Sequence, residues 1–471
     1  MSARTATDLE IRLPALSPTM ESGRLAKWYV SEGDRVAAGD VLAEIETDKA
    51  TMEFEAETPG TISRLLIPAG GEPIPVDTAL ALFTPDTQPA TQPPRAPEAA
   101  SAADAGKEAA PAGGSDAPAP AAPQTPAARK PDTSWPQPDW PAATPTRPQT
   151  VRDALRDALA EEMHRDAEVF LIGEEVGEHQ GAYKVSRGLR DDFGAARVVD
   201  TPITEQGFTG LAIGAAFAGL KPVVEFMSFA YALPALGQIV QSAAKARAMT
   251  GGALTCPITF RGPNGAPPRV AAQHGTDLAA WAAQIPGLKV AMPYTAADAK
   301  GLLKAAIRDP DPVIFLEHEL LYGESFDVPT GIDHILPFGR AAIRRPGSDV
   351  TLVAAGLAVR HALHAAEALA AIGISAEVID LRSLRPIDYD TILASLRKTN
   401  RCVTVEEGWP VASLGDHLAA RITQRTFDWL DAPVLSATGE DIPLPYAANL
   451  DSLARVSVEK IVALARQTCY K

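Results

Sequence analysis

The chain has 471 residues, 46% hydrophobic and 22% charged, with a formal net charge of −16. That length supports about three domains with substantial cores. The acidic balance disfavours nucleic acid, whose phosphates reward clustered Lys and Arg, and no run is long and apolar enough to span a bilayer.

The N-terminus enters a strand pattern almost at once (Leu9, Ile11, Leu13), which leaves no room for a presequence and predicts a bacterial cytoplasmic protein. Cys256, Cys402 and Cys469 lack metal-ligand or redox-pair spacing and read as buried or incidental thiols of a reducing compartment. The run Glu44-Ile-Glu-Thr-Asp-Lys-Ala-Thr-Met-Glu-Phe-Glu55 carries apolar residues in alternation: Val41, Ala43 and Ile45, then Met52, Phe54 and Ala56. Period two on both sides of Asp48-Lys49 predicts a hairpin of half-buried strands with Lys49 at its tip. Gly33-Asp34-Arg-Val36, Gly39-Asp40-Val-Leu42 and Pro59-Gly60-Thr-Ile62 add turns and short strands around it. An exposed hairpin lysine by itself is a solvated charge. With these neighbours, residues 1–84 resemble a lipoyl domain, an all-β flattened barrel, and the resemblance implies lipoate on Lys49 through an amide bond. A biotin carrier is the rival, but its lysine normally stands between methionines, whereas Asp48 and Ala50 stand here.

Residues 85–147 hold fifteen of the 41 prolines, interleaved with alanine. Such a segment cannot bury enough apolar area to offset its ordering entropy and reads as a tether. Its span is roughly 45 Å as a flexible coil and about 190 Å as polyproline. Trp135 and Trp140 are out of character for a linker, which points to docking on the domain that follows.

From Thr150 the pattern alternates between helices and strands. Val151, Ala154, Leu155, Ala158, Leu159 and Met163 form a helical stripe, with Thr150 and Asp153 as a cap pair. Strand-like runs follow at Val169–Ile172, Val198–Val199, Pro222–Glu225 and Pro257–Phe260, with a small-residue helix over Gly207–Gly219. A second alternating block has strands at Asp349–Ala354, Ala376–Asp380 and Arg401–Glu406, and helices near 359–372, 389–398 and 415–426. This predicts two α/β domains, 148–335 and 336–471, with mainly parallel sheets.

Gly181-Ala-Tyr-Lys-Val-Ser-Arg-Gly188, Asp200-Thr-Pro-Ile-Thr-Glu-Gln-Gly-Phe208, Phe260-Arg-Gly-Pro-Asn-Gly265 and Ala271-Ala-Gln-His274 resemble the beta subunit of the thiamine-diphosphate-dependent pyruvate dehydrogenase. The match extends over residues 148–471 and implies a transketolase-like pyrimidine-binding domain followed by a transketolase C-terminal-like domain. It implies oxidative decarboxylation of pyruvate with reductive acetylation of lipoyl groups. Branched-chain 2-oxo acid and acetoin dehydrogenases share the fold and are the alternative, as is a lipoyl docking module on a catalytically weak beta subunit.

The resemblance assigns Glu205 to the thiamine aminopyrimidine, where a carboxylate favours the imino tautomer by holding a proton at a ring nitrogen. Read alone, Glu205 would cap the helix that follows it. Tyr231, Ile203 and Met227 would line the same ring, and His274 would face cofactor and substrate as proton donor or as guide for the dithiolane. Two departures stand beside this pocket: Gly275-Thr276 follows His274 where the family has Ser-Gln, and Phe229–Gly237 lacks the usual Asn and Asp. The chain has no Gly-Asp-Gly with a downstream Asn, the pattern that holds magnesium and the cofactor's diphosphate. A separate alpha subunit is therefore expected to hold magnesium, in an α2β2 heterotetramer served by dihydrolipoamide acetyltransferase and dihydrolipoamide dehydrogenase. The resemblance further implies a structural potassium at Ile258, Ala306, Ile307, Asp309 and Asp311, the last in place of the usual asparagine.

Overall fold

A computed structural model describes residues 9–13, 22–37, 40–46, 51–56, 58–75, 78–85, 139–268 and 270–471. The chain divides into an N-terminal and a C-terminal unit, with the break after Ala128.

The N-terminal unit is built of two four-stranded sheets. One joins Leu9–Arg12, Ala79–Pro85, Gly60–Leu65 and Arg35–Val36; the other joins Thr51–Glu55, Val41–Glu46, Ser22–Trp28 and Ile74–Pro75. Both contribute to one core of Leu13, Leu25, Leu42, Ile45, Ile62, Leu80 and Phe83. The expected antiparallel pair is present, with Ile45 opposite Met52 and Glu46 opposite Thr51. Its connection, residues 47–50, lies outside the described residues, and so does Lys49. The alternation is not strict: a bulge between Val41 and Ala43 lets both Leu42 and Ala43 face the core. An extra residue in one strand shifts the side-chain phase, which period-two counting does not anticipate.

Gly60 shows how closely neighbouring strands of its sheet pack. A Cβ there would lie 2.4 Å from the Phe83 ring and 2.5 Å from the Thr84 carbonyl oxygen. Gly60→Ala is therefore expected to destabilise this unit by about 1–3 kcal/mol. Calorimetry on the full chain would show its transition move down while that of the α/β unit stays in place.

In the C-terminal unit, Val151–Arg165 forms the first helix, and Thr150 Oγ1 accepts the Asp153 N–H at 3.1 Å as the sequence predicts. The larger sheet runs Val198–Asp200, Val169–Gly173, Lys221–Glu225, Thr259–Pro263, Val313–Glu317, Lys289–Ala291 and Ser383–Arg385. The first six strands are parallel and the last is antiparallel. The second sheet has Ala342–Arg345, Ala376–Asp380, Val350–Ala354, Cys402–Val405 and Leu435–Ala437. Its inner strands Ala376–Asp380, Val350–Ala354 and Cys402–Val405 are buried along their whole length because helices cover both faces.

Two features differ from the sequence pattern. The strand expected at Pro257–Phe260 begins at Thr259, since Pro257 has no N–H to give a ladder. The segment expected as linker through 147 becomes part of the α/β unit earlier. Thr146–Thr150 pairs antiparallel with Ser325–Pro329, Trp140 packs edge-on against His334 with centroids 5.5 Å apart, and Asp139 pairs with Arg382. Trp140 thus docks as its character suggested; Trp135 lies outside the described residues.

Candidate active site

Parallel α/β sheets bind ligands at the carboxyl ends of their strands, where the order of strands reverses. Here the chain lays Val169–Gly173 first, Val198–Asp200 on one side of it and Lys221–Glu225 on the other. The reversal therefore falls at Gly173. The segments that leave four neighbouring strands at this edge carry Glu174, Glu205, Tyr231 and His274.

Glu205 is the first residue of the helix Glu205–Phe217, after the N-cap Thr204, and is half-buried. Its carboxylate makes no hydrogen bond to described residues, and it stands in the first turn of this helix, where a negative charge also suits the helix dipole. Tyr231 sits in the 3-10 helix Phe229–Ala235, which starts where Ser228 Oγ accepts the Ala230 N–H at 3.3 Å. A π-helical turn, Gln238–Ala243, follows, a distortion often found near functional sites. Tyr231 meets His274 edge-to-face, ring centroids 5.1 Å apart. Burial, then the charges of Glu174 and Glu205, raise the Tyr231 hydroxyl's pKa. The fold thus brings Glu205, Tyr231 and His274 to one sheet edge. Ile203, 84% exposed, precedes Glu205 by two residues, and Met227 is half-buried in the turn after Lys221–Glu225.

Glu174 was not anticipated from sequence. Burial, followed by the charges of Glu205 and Glu175, holds its carboxyl above the usual carboxylate range. Its Oε1 is buried without a hydrogen-bond partner, and so is Thr201 Oγ1 on the segment leading to Glu205. Buried polar atoms left open at the end of a sheet are what a polar ligand satisfies. The signal in the sequence was present but weak: an acidic residue directly after a fully buried strand. The loop beyond it holds Glu175, Gln180 and Lys184 at positive φ, conformations that non-glycine residues occupy at a cost and that concentrate at functional sites. Asp200 fixes this loop by accepting from Gly177 N–H at 2.6 Å and Arg190 at 2.7 Å.

The Arg261-Gly-Pro-Asn-Gly265 motif supports the site from below. Arg261, 1% exposed, bridges Glu225 and Glu317, and Tyr322 Oη donates to Glu317 at 2.7 Å. Burial first, and then the Glu317 charge, push Glu225 upward against the opposing pull of Arg261. Asn264 donates to Asp277 at 2.7 Å and accepts the Leu278 N–H at 2.8 Å, which ties the segment after His274 to the sheet.

At the cation positions, Asp309 accepts Lys289 Nζ at 2.7 and 2.6 Å, and Asp311 pairs with Arg247 at 2.7 Å. Their carboxylates are therefore committed to protein cations. The main-chain oxygens of Ile258 and Ala306 each accept one N–H, from Val313 and Asp309, and retain a lone pair. Among the described residues no cluster of three or more His, Cys, Asp or Glu could hold a metal, and no helix is long and apolar enough to cross a membrane. Burial pushes the Cys256 and Cys402 thiols up to about 12.

Residues 147–324 match the transketolase pyrimidine binding domain, residues 339–461 the transketolase C-terminal domain, and residues 9–83 the family described as biotin-requiring enzyme. A solved structure described as a split-gene transketolase, an inactive beta4 tetramer, aligns with TM-score 0.54 at 24% identity, covering 68% of this chain and 98% of that one. This likeness shows the fold. The pyruvate dehydrogenase E1 component subunit beta of Rhizobium meliloti is 55% identical, covering 98% of this chain and all of the relative. That of Rickettsia conorii is 56% identical over 68% of this chain and 98% of its own length. With this identity along nearly its whole length and all three domains matched, the chain belongs to the family of pyruvate dehydrogenase E1 beta subunits.

Proposed function

We propose that this chain, with an alpha subunit, decarboxylates pyruvate on thiamine diphosphate and transfers the acetyl group to lipoyl groups, one of them on its own Lys49. The single observation that carries the reading is the convergence of Glu205, Tyr231 and His274 beside the partnerless Glu174 and Thr201 at the strand-order reversal. When bound, thiamine diphosphate supplies the electron sink for the decarboxylation. Glu205 offers an acceptor for the aminopyrimidine ring, Tyr231 a wall beside it, with Ile203 and Met227 as further lining. His274, exposed and edge-on to Tyr231, would donate a proton or guide the incoming dithiolane.

Magnesium and the diphosphate fall to the alpha subunit in an α2β2 heterotetramer. Dihydrolipoamide acetyltransferase and dihydrolipoamide dehydrogenase complete the cycle in the bacterial cytoplasm. A structural potassium would rest on the main-chain oxygens of Ile258, Ala306 and Ile307, since the Asp309 and Asp311 side chains are engaged elsewhere. The division into a lipoyl domain (1–84), a tether (85–147, its last residues docked), a pyrimidine-binding domain (148–335) and a C-terminal domain (336–471) is part of the same proposal. The test is reconstitution with the alpha subunit, measuring carbon dioxide release from pyruvate and branched-chain 2-oxo acids and the cleavage of acetoin. Pyruvate is expected to be the preferred donor; failure of pyruvate beside turnover of another donor overturns the assignment.

A tether of this reach raises the local dithiolane concentration towards the millimolar range. Lys49→Arg is expected to remove the lipoyl adduct in intact-mass spectra and to weaken acetyl transfer while sparing decarboxylation. Wild-type protein without an adduct in lipoate-replete cells would instead favour a docking module.

A further inference from the structure

A second cavity, of about 240 Å³, lies between the two α/β halves. None of Glu174, Glu205, Tyr231 or His274 lines it, although Gly275, next to His274, does. Its walls are largely apolar, with Leu320, Leu444 and the half-buried Trp409 among them.

The charged groups around it are unevenly matched. Arg455 is committed to both oxygens of Asp451, at 2.8 and 2.6 Å, and to the Pro267 carbonyl at 2.7 Å. Arg360 donates to Glu324 at 3.1 Å. The acids are matched less completely. The Glu407 side chain is only 8% exposed, and its Oε2 is buried without a hydrogen bond. Its Oε1 lies 3.2 Å from His318 Nε2, yet that nitrogen also lacks an aligned hydrogen bond. His318 Nδ1 accepts the Leu320 N–H at 3.2 Å; against burial, which acts upward, His318 and then His361 and Arg455 hold the Glu407 carboxyl below its usual range, so it faces the cavity as an anion. Asp277, the second acid of the wall, spends one oxygen on Asn264 and the Ala279 N–H, at 2.7 and 2.8 Å.

A buried carboxylate without a full partner is costly, and a cation entering the cavity removes that cost. An aromatic wall adds attraction for a cation. The volume is below the roughly 300–1,000 Å³ of drug-sized sites, which limits the occupant to a small molecule. We propose that this cavity is a second ligand site, taking a small organic cation, a primary ammonium on an apolar body, against Glu407 and Asp277.

Calorimetric titration of the full chain assembled with its alpha subunit tests this with benzylammonium, benzyl alcohol and phenylacetate. Benzylammonium is expected to bind at least tenfold more tightly than benzyl alcohol, and phenylacetate more weakly than either. Glu407→Gln should abolish the preference for the ammonium, and Trp409→Ala, at a half-buried position, should weaken ammonium binding several-fold. Equal affinity for ammonium and alcohol, tighter binding of phenylacetate, or no heat with any probe would overturn the proposal. The wild-type series decides it even if Glu407→Gln does not fold.

Discussion

Glu205→Gln in the chain assembled with its alpha subunit is expected to lower carbon dioxide release from pyruvate by roughly 10²–10⁴-fold, the usual contribution of a positioned acid–base group. Glutamine keeps the shape at the start of the helix Glu205–Phe217 and loses the ability to hold a proton at the ring nitrogen. Assembly and thermal stability should change little, because the native carboxylate makes no hydrogen bond to described residues. A drop in rate with intact assembly therefore separates a role towards the cofactor from a capping role. Capping predicts the reverse, a loss of about 1 kcal/mol or less of stability with the rate retained. Retained turnover in Glu205→Gln would remove the basis of the catalytic assignment.

Arg261→Met is expected to be the most destabilising single change in the α/β unit. Removing the guanidinium leaves Glu225 and Glu317 facing each other in a fully buried site with only Tyr322 as a donor. Breaking a buried ion network from one side costs about 3–5 kcal/mol. For a unit of this size that corresponds to a fall in melting temperature of roughly 10 °C, or to insoluble expression. Arg261→Lys keeps the charge but loses the two-pronged geometry and should fall between the two. A melting temperature unchanged in Arg261→Met would mean that the carboxylates simply take up protons, the direction in which burial already pushes Glu225.

The two predictions explain the neighbouring motifs differently. Glu205 belongs to a segment whose polar groups remain open to a ligand, as Thr201 and Glu174 show. Arg261-Gly-Pro-Asn-Gly265 is closed on itself. Gly262, at φ +154°, approaches the Phe226 carbonyl so nearly that a Cβ would lie 2.4 Å from its oxygen, and Asn264 is saturated by Asp277 and Leu278. One motif is therefore open to a ligand and the other holds the floor beneath it, although they looked alike as strings of residues.

Local pattern was sufficient for most elements. Helix Val151–Arg165 follows from its apolar stripe and its Thr150 cap, and strands Ala376–Asp380 and Val350–Ala354 from short apolar runs between helical stretches. Such elements are determined by neighbours three or four positions away, or by continuous burial, and both leave a periodic trace. The candidate residues Glu205, Tyr231 and His274 came from motif resemblance, which the fold then gathered at one sheet edge.

Contacts between distant residues left no such trace. Val290 pairs with Arg385 across 95 positions of chain, and Asp298 meets Arg344 and Arg382 at the seam between the halves. The bulge at Leu42, Glu174 beside Glu205, and the docking of Trp140 on His334 depend in the same way on what packs against them. The sequence by itself determined the helices and strands, the acidic balance of the chain and the candidate residues Glu205, Tyr231 and His274. Only the tertiary structure decided which carboxylates would be neutralised by a buried arginine and which, like Glu174 and Glu407, would be left facing a space. That outcome depends on desolvation and on partners brought in from far along the chain, which no local pattern encodes.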